Sequence, residues 1–301
     1  MRTLLFLILA ALCIFCASDE DLQSVSDTCD FQKTGSITSG HVDEISGIAL
    51  SPQQNILWVI NDSGNRPELH AVSRSGAYIK NLVVNGAENR DWEDVAAFVI
   101  DGNSYLLIAD TGDNNAIRNH LTLYIVPMPD INKDKSVRVA WSMAFQFQDG
   151  PRDCEAVSVD VSTQTVLLLT KRDVPAQFYT LPLKPPGTAI LTAKPVGLVH
   201  SIPQPKPEEI RTRHDRFHAQ PTSMDISPDG AKIAVLTYRH LFLYTLNSSQ
   251  SWKAMLQRTS KMLTLPRLEQ AEAVCFDTDS RHVLISSEEL PAPLIKVDTC
   301  Q

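Results

Sequence analysis

The stretch Asp91-Trp92-Glu93-Asp94-Val95-Ala96 sets acids at the head of an apolar run, and looser versions of it recur along the chain. They read Glu44-Ile45-Ser46-Gly47-Ile48-Ala49, Asp153-Cys154-Glu155-Ala156-Val157-Ser158 and Gln270-Ala271-Glu272-Ala273-Val274-Cys275, with a degenerate copy at Gln220-Pro221-Thr222-Ser223-Met224-Asp225. With Ser46, Glu93, Glu155, Thr222 and Glu272 as equivalent positions, successive copies lie 47, 62, 67 and 50 residues apart. That is the spacing of propeller blades rather than of helical repeats. The sequence therefore predicts an all-β fold, a five-bladed β-propeller.

Around these phrases the chain consists of apolar or alternating runs separated by turn signals, with little 3.6-residue periodicity. Four strands are expected in each of the first four blades. The second blade ends on a long strand over Val137–Phe147, and the third ends on Val196–Ile202. The last blade has only Ala273–Asp277, His282–Ser286 and Leu294–Val297, which leaves a strand edge uncovered. Phe31–Ile37 lies ahead of the first blade and is expected to close the ring as the missing outer strand.

The 301 residues carry a net charge of −8, 43% hydrophobic residues and no basic tract. A phosphate-binding face needs clustered Lys and Arg, so a nucleic-acid partner is not expected. Residues 1–18 place Arg2 before an apolar run, Leu4–Phe15, and then small residues ahead of Asp19, the layout of a secretory signal peptide. The run is too short to span a bilayer, and no other stretch is long and apolar enough. The expected organisation is a leader over 1–18 and one propeller domain over 19–301, in a secreted or periplasmic monomer. Cys29 and Cys300 stand near the two ends of that domain and are the expected disulfide, with Cys154 and Cys275 as buried free thiols.

In a propeller the first strand of each blade lines the central channel. Ser46, Glu93, Glu155, Thr222 and Glu272 then form one ring, and Glu44, Asp91, Asp153, Gln220 and Gln270 a second nearer the mouth. Two carboxylates about 4 Å apart repel by roughly 4 kcal/mol at an effective dielectric near 20, so such rings take up protons, stay wide and wet, or hold a cation. The donors are oxygens, and no His or Cys set has zinc spacing, which favours calcium as the bound ion. The ends of the second strands add Asp62, Asp110, Lys171 and Tyr238 at matching places, with Arg172 and Glu288 beside them. The expected metal ligands are thus Glu44, Asp62, Asp91, Glu93, Asp110, Asp153, Glu155 and Glu272. Lys171, Arg172, Thr222, Tyr238 and Glu288 are candidate ligand-binding residues.

Other motifs carry less. Asp110–Asn115 begins like a calcium loop, but Leu121 stands where an EF-hand places its bidentate Glu. Neither Gly-x-Ser-x-Gly nor Gly-x-Gly-x-x-Gly occurs. His214 and His218 sit in a Pro-rich, charged connection that reads as a solvated loop.

The phrases Asn61-Asp62-Ser63-Gly64, Asp91-Trp92-Glu93-Asp94, Asp110-Thr111-Gly112-Asp113-Asn114, Asp149-Gly150-Pro151, Leu236-Thr237-Tyr238 and Glu272-Ala273-Val274 resemble those of a group of secreted bacterial propellers. That group is distantly similar to the SdiA-regulated and phytase-like propeller families. The resemblance implies a secreted propeller with an acidic, calcium-holding channel and no established reaction. Phytase-like catalysis also needs several bases around a phosphate, and only Lys171, Arg172 and Arg118 are placed for it. Two functions stay open: a non-enzymatic exported module binding a small molecule, glycan or protein on its loop face, and a metal-dependent phosphoester hydrolase.

Overall fold

The computed structural model describes residues 29–51, 53–246, 251–256, 258 and 260–299. The expected leader and Cys300 lie outside the described residues. In chain order the strands are β1 (Phe31–Ile37), β2 (Ile45–Ser51), β3 (Ile56–Asn61), β4 (Glu68–Ser73), β5 (Tyr78–Asn85), β6 (Trp92–Ile100), β7 (Asn103–Asp110) and β8 (Leu121–Pro127). Then come β9 (Ser136–Arg138), β10 (Trp141–Phe147), β11 (Ala156–Asp160), β12 (Thr165–Leu169), β13 (Ala176–Pro182) and β14 (Leu191–Val199). The rest are β15 (Pro221–Ile226), β16 (Lys232–Thr237), β17 (His240–Thr245), β18 (Lys261–Thr264), β19 (Ala271–Phe276), β20 (His282–Ser287) and β21 (Ala292–Asp298). Among the described residues one short α-helix, α1 (Trp252–Leu256), precedes β18.

The strands form four hydrogen-bonded sheets: β2-β3-β4-β5-β9, β15-β16-β17-β18, β1-β21-β20-β19 and the eight-stranded β11-β12-β13-β14-β10-β8-β7-β6. The last divides into two antiparallel halves that meet only where β10 and β14 run parallel, from Phe145↔Leu191 to Phe147↔Ala193. β2, β6, β11, β15 and β19 pack side by side in cyclic order, β19 returning to β2. Five apolar layers fill the gaps between neighbouring units. They bring together Trp58 with Trp92, Phe145 with Tyr179, Phe178 with Phe242, Leu236 with Phe276 and Ile48 with Leu294. The result is an all-β, propeller-like ring.

Burial along each strand follows from its place in that ring. β2 and β11 are buried at every position because neighbouring units cover both their faces, whereas β5 and β10 alternate between buried and accessible positions. Continuous apolar runs therefore mark inner strands, and period-2 alternation marks outer ones.

Closure uses the N-terminal strand. β1 pairs antiparallel with β21 from Phe31↔Val297 to Ile37↔Ala292 and so supplies the outer strand of the last unit. Its Gly35 and Ser36 cross the β4–β5 turn so closely that a Cβ on Gly35 would overlap Ser75 O, and one on Gly76 would overlap Ser36 O. Arg74, on the first unit, grips both oxygens of Asp277 on the last, with Nη1 3.0 Å from Oδ1. First and last units are thus locked by strand, glycine contact and ion pair. Cys154 and Cys275 are buried free thiols and Cys29 is buried ahead of β1, with no disulfide among the described residues.

Two expected strands differ. Val137–Phe147 is not one strand but two: β9 adds in parallel to β5 of the first unit, and β10 pairs with β8 of the second. The chain is held to the first unit by Gln54, whose amide donates to Pro129 O (2.6 Å) and accepts from Ile131 N (2.7 Å), and by Lys80 Nζ on Ile131 O (2.8 Å) and Asp134 O (2.6 Å). These long-range polar contacts leave no local sequence period. The outer strand expected at Val196–Ile202 instead spans Leu191–Val199, because Leu191–Ala193 are recruited by β10 before β14 reaches β13.

Candidate functional site

The inner strands open on bulges. β2 shifts register between Ile45 and Gly47, β6 between Trp92 and Asp94, β15 between Pro221 and Ser223, and β19 between Ala271 and Ala273. In the third unit Lys171 N bonds Asp153 O (3.1 Å) ahead of the Ala156↔Leu169 pair, which sets Cys154 and Glu155 together against Thr170. The extra residues are Ser46, Glu93, Thr222 and Glu272, with Glu155 at the matching place. A bulge breaks period-2 alternation and re-aims a side chain. Here it gathers carboxylates at one mouth of the ring.

Oxygens of Asp62, Asp91 and Glu93 lie within 4.8 Å of one another, and so do those of Glu93, Asp153 and Glu155. Glu93 belongs to both groups. Asp153 is only 3% exposed and is already engaged, accepting from Asp113 N (2.9 Å) and Arg172 Nε (2.6 Å). Glu155 contacts Lys171 Nζ, which also sits 5.1 Å above the Tyr238 ring, and Tyr238 in turn donates to Glu272 Oε1 (3.0 Å). Glu93 is 7% exposed and has no hydrogen-bond or ion-pair partner among the described residues. Its neighbour across the mouth is bare backbone: a Cβ on Gly112 would overlap Glu93 Oε1 and Asp91 Oδ2.

The remaining expected residues are placed as follows. Glu44 accepts from Asn65 Nδ2 (2.6 Å), and Glu288 contacts the Gln270 amide. Asp110 is turned away from the cluster, holding Arg118 Nη2 (2.9 Å) and Asp91 N (3.1 Å). Thr222 Oγ1 donates to Ala271 O (2.7 Å), tying two inner strands. Arg172 reaches Asn114 as well as Asp153.

The electrostatics follow from burial. Burial, then Glu155 and Asp62, raise Glu93 well above the usual carboxylate range. Burial and the adjacent Asp62 push Asp91 up to about 7. Burial raises Glu272, with Glu155 and Glu288 adding to it. Burial alone would lower Lys171, but Glu155 overrides it and holds the ammonium charged. One cation is thus already built in beside Glu155; its charge also reaches Glu93, as that of Arg118 reaches Asp91, but neither forms an ion pair with Asp62, Asp91 or Glu93 among the described residues. Three converging carboxylates with hard oxygen donors suit a divalent cation such as calcium.

One step deeper lies a carboxylate that sequence reasoning missed. Asp94 is fully buried and accepts from Val95 N (3.0 Å) and Ser223 Oγ (3.0 Å) at Oδ1, and from Val157 N (2.9 Å) and Met224 N (3.1 Å) at Oδ2. It therefore ties β6 to β11 and β15 across the ring centre. Asp225 does the same one layer further, accepting Ile226 N (2.9 Å), Phe276 N (2.7 Å) and Ser158 Oγ (3.4 Å). The available signal was an acid inside the apolar run Asp94-Val95-Ala96, which plain alternation would have sent into a sheet interface.

No family model matches the chain, and no curated protein does. Among solved structures, the chain is similar to the major Malassezia sympodialis allergen Mala s 1, at 9% identity and a TM-score of 0.54, over 87% of this chain and 95% of that one. It also matches a luciferin-regenerating enzyme at 10% identity and a TM-score of 0.49, over 90% and 95% of the two chains. A third match is the PQQ-bound aldose sugar dehydrogenase of Streptomyces coelicolor, at 10% identity and a TM-score of 0.46, over 90% and 98%. The likeness to Mala s 1 is one of fold alone.

Proposed function

We propose that the chain is an exported, monomeric five-bladed β-propeller acting as a binding module, with a calcium-type cation held by Asp62, Asp91 and Glu93 at its acidic mouth. The observation that supports it most is Glu93, a carboxylate that is buried, shared by two acidic groups and without a hydrogen-bond donor. Carboxylates crowded at one mouth with no donor to share them are mutually repulsive, and a cation supplies the missing partner. The bound ion, with the loops around it, presents a Lewis-acidic face to a small molecule, glycan or protein ligand. The blade count rests on the cyclic packing of β2, β6, β11, β15 and β19, and a Cys29–Cys300 disulfide would reinforce the β1–β21 closure.

A phosphoester hydrolase would need Lys171 and Arg172 free to orient a phosphate. Lys171 is committed to Glu155 and Tyr238, and Arg172 to Asp153 and Asn114, which favours the binding module. The test is a thermal melt of the purified chain in calcium, magnesium or chelator, with nitrophenyl phosphate turnover measured in parallel. A calcium-dependent rise in Tm without turnover is expected. Superimposable melts would remove the cation, and calcium-dependent turnover lost on Lys171→Ala would replace the module by the hydrolase.

A further inference from the structure

The acids described above occupy the leading ends of the inner strands. At their trailing ends lies a cavity of about 540 Å³, a volume suited to a small organic ligand. Its walls are apolar, with Val95, Ala97, Val99, Val161, Ile226 and Phe276 among the lining residues. Val99 and Val161 are 47% and 37% exposed at its rim.

The titratable side chains that line it are all acids except Cys275: Asp160, Asp225, which burial raises to about 7, and Asp229, with no Lys, Arg or His. Their partners are neutral donors. Asp160 accepts from Ser162 N (2.9 Å) and Trp252 Nε1 (3.0 Å), and Asp229 from Ser227 Oγ (2.6 Å) and Ala231 N (3.0 Å). Asp225, at the strand ends, is held by two backbone amides and a serine hydroxyl. None of the three is in an ion pair among the described residues. Lys232, whose charge acts on Asp229, directs Nζ to Ser280 O and Thr299 Oγ1, both at 3.2 Å.

Apolar walls select a body that water rejects, and acids held by neutral donors in a concave, low-dielectric site focus negative potential on whatever enters, with Lys232 offsetting part of it at Asp229. A small metal ion would not use the walls, and these three acids do not converge on one point as those of the other mouth do. An anion would be repelled, and a neutral apolar molecule would leave the field unused. We propose that this second mouth is a binding site for a small hydrophobic amine, its apolar body against the valines and its ammonium directed at Asp225 and its acidic neighbours. The site is independent of the cation at the other mouth.

The experiment is calorimetric titration of the purified chain, in chelator, with 1-naphthylmethylamine, 1-naphthalenemethanol and 1-naphthoate. The amine should bind about tenfold or more tightly than the alcohol, equivalent to roughly 1.4 kcal/mol, and the carboxylate should not bind. Val161→Lys, at the exposed rim, should weaken the amine about tenfold or more on the same scale, and Glu93→Gln at the opposite mouth should leave it unchanged. Asp225→Asn should also weaken it, and Val161→Lys keeps the test open should that variant not fold. Equal affinity for amine and alcohol, loss of binding in Glu93→Gln alone, or no binding by any of the three would overturn the proposal.

Discussion

Glu93 and Asp94 are adjacent, acidic and buried, yet they are opposites. Asp94 receives four donors from three inner strands, whereas Glu93 receives none. The difference is one of supply: at Asp94 the chain brings its own amides and Ser223, and at Glu93 it brings more carboxylates. Burial therefore does not distinguish a structural acid from a site. The balance of donors does. A saturated carboxylate stabilises the ring by cross-linking its inner strands, and an unsaturated one carries a cost that a bound cation would relieve.

The largest expected effect follows from removing the saturated member. Asp94→Ala leaves three backbone amides and the Ser223 hydroxyl without their acceptor in the interior. Each orphaned buried group costs about 1–3 kcal/mol, and after partial relaxation the loss should reach roughly 3–5 kcal/mol. A urea titration should show a large fall in midpoint at unchanged slope. A loss under about 1 kcal/mol, the range of an ordinary surface change, would mean that Asp94 does not cross-link the inner strands.

Glu93→Gln should act in the opposite direction. It keeps the shape, removes a carboxyl group whose ionisation burial, Glu155 and Asp62 oppose, and so should raise the melting temperature in chelator by an amount worth about 1 kcal/mol, the scale of one buried polar mismatch. Calcium at a hundredfold excess over its Kd should stabilise the parent chain by about 2.7 kcal/mol and this variant by almost nothing. Stabilisation by calcium that survives Glu93→Gln would move the ion elsewhere.

How much of this was legible in the sequence depends on range. The repeats Glu44–Ala49, Asp91–Ala96, Asp153–Ser158 and Gln270–Cys275 mark inner strands because polar heads and apolar bodies are local features, and the unpaired edge of the last unit points to Phe31–Ile37 by counting. The split of Val137–Phe147 was not legible, since Gln54 and Lys80 impose it from more than fifty residues away. The bulges were hidden for another reason. Alternation assumes an unbroken pleat, so it correctly aims Asp91 and Glu93 alike but says nothing of Asp94, whose direction is set by the slip between Trp92 and Asp94.

A pH titration sharpens the comparison further. Asp91, pushed up to about 7, and Glu93, raised well above its usual range, keep protons in the folded chain that the unfolded chain has released. For an acid with a raised folded pKa, the stability it lends is fully present below the unfolded value of 3.8 and is lost as pH rises through about 7. In chelator the melting temperature should therefore fall between about pH 5 and about pH 8, a window that brackets the raised value. Calcium competes with these protons for the same oxygens, so it should flatten or reverse the slope. Parallel pH profiles with and without calcium would separate the titrating acids from the cation site.

The smallest change in stability, and the cleanest separation of site from scaffold, is expected from Gly112→Ala. The added methyl meets Glu93 Oε1 and the Asp91 carboxylate, which are the mobile ends of side chains rather than backbone. Those ends can swing aside, and the Gly112 N to Asp91 O hydrogen bond (3.1 Å) is untouched. Global stability in chelator should shift by less than about 1 kcal/mol, as for substitutions that create neither a cavity nor an orphaned polar group. The cation site should suffer more. Ligand oxygens must converge at about 2.3–2.6 Å around calcium, and a methyl in their place holds Asp91 and Glu93 apart. The calcium-induced rise in Tm should shrink markedly while the chelator melt stays close to that of the parent. An unaltered calcium response would show that the ion does not rest on the Asp91–Glu93 pair, and a collapse of the chelator melt would show that Gly112 belongs to the scaffold, on Asp94's side of the divide.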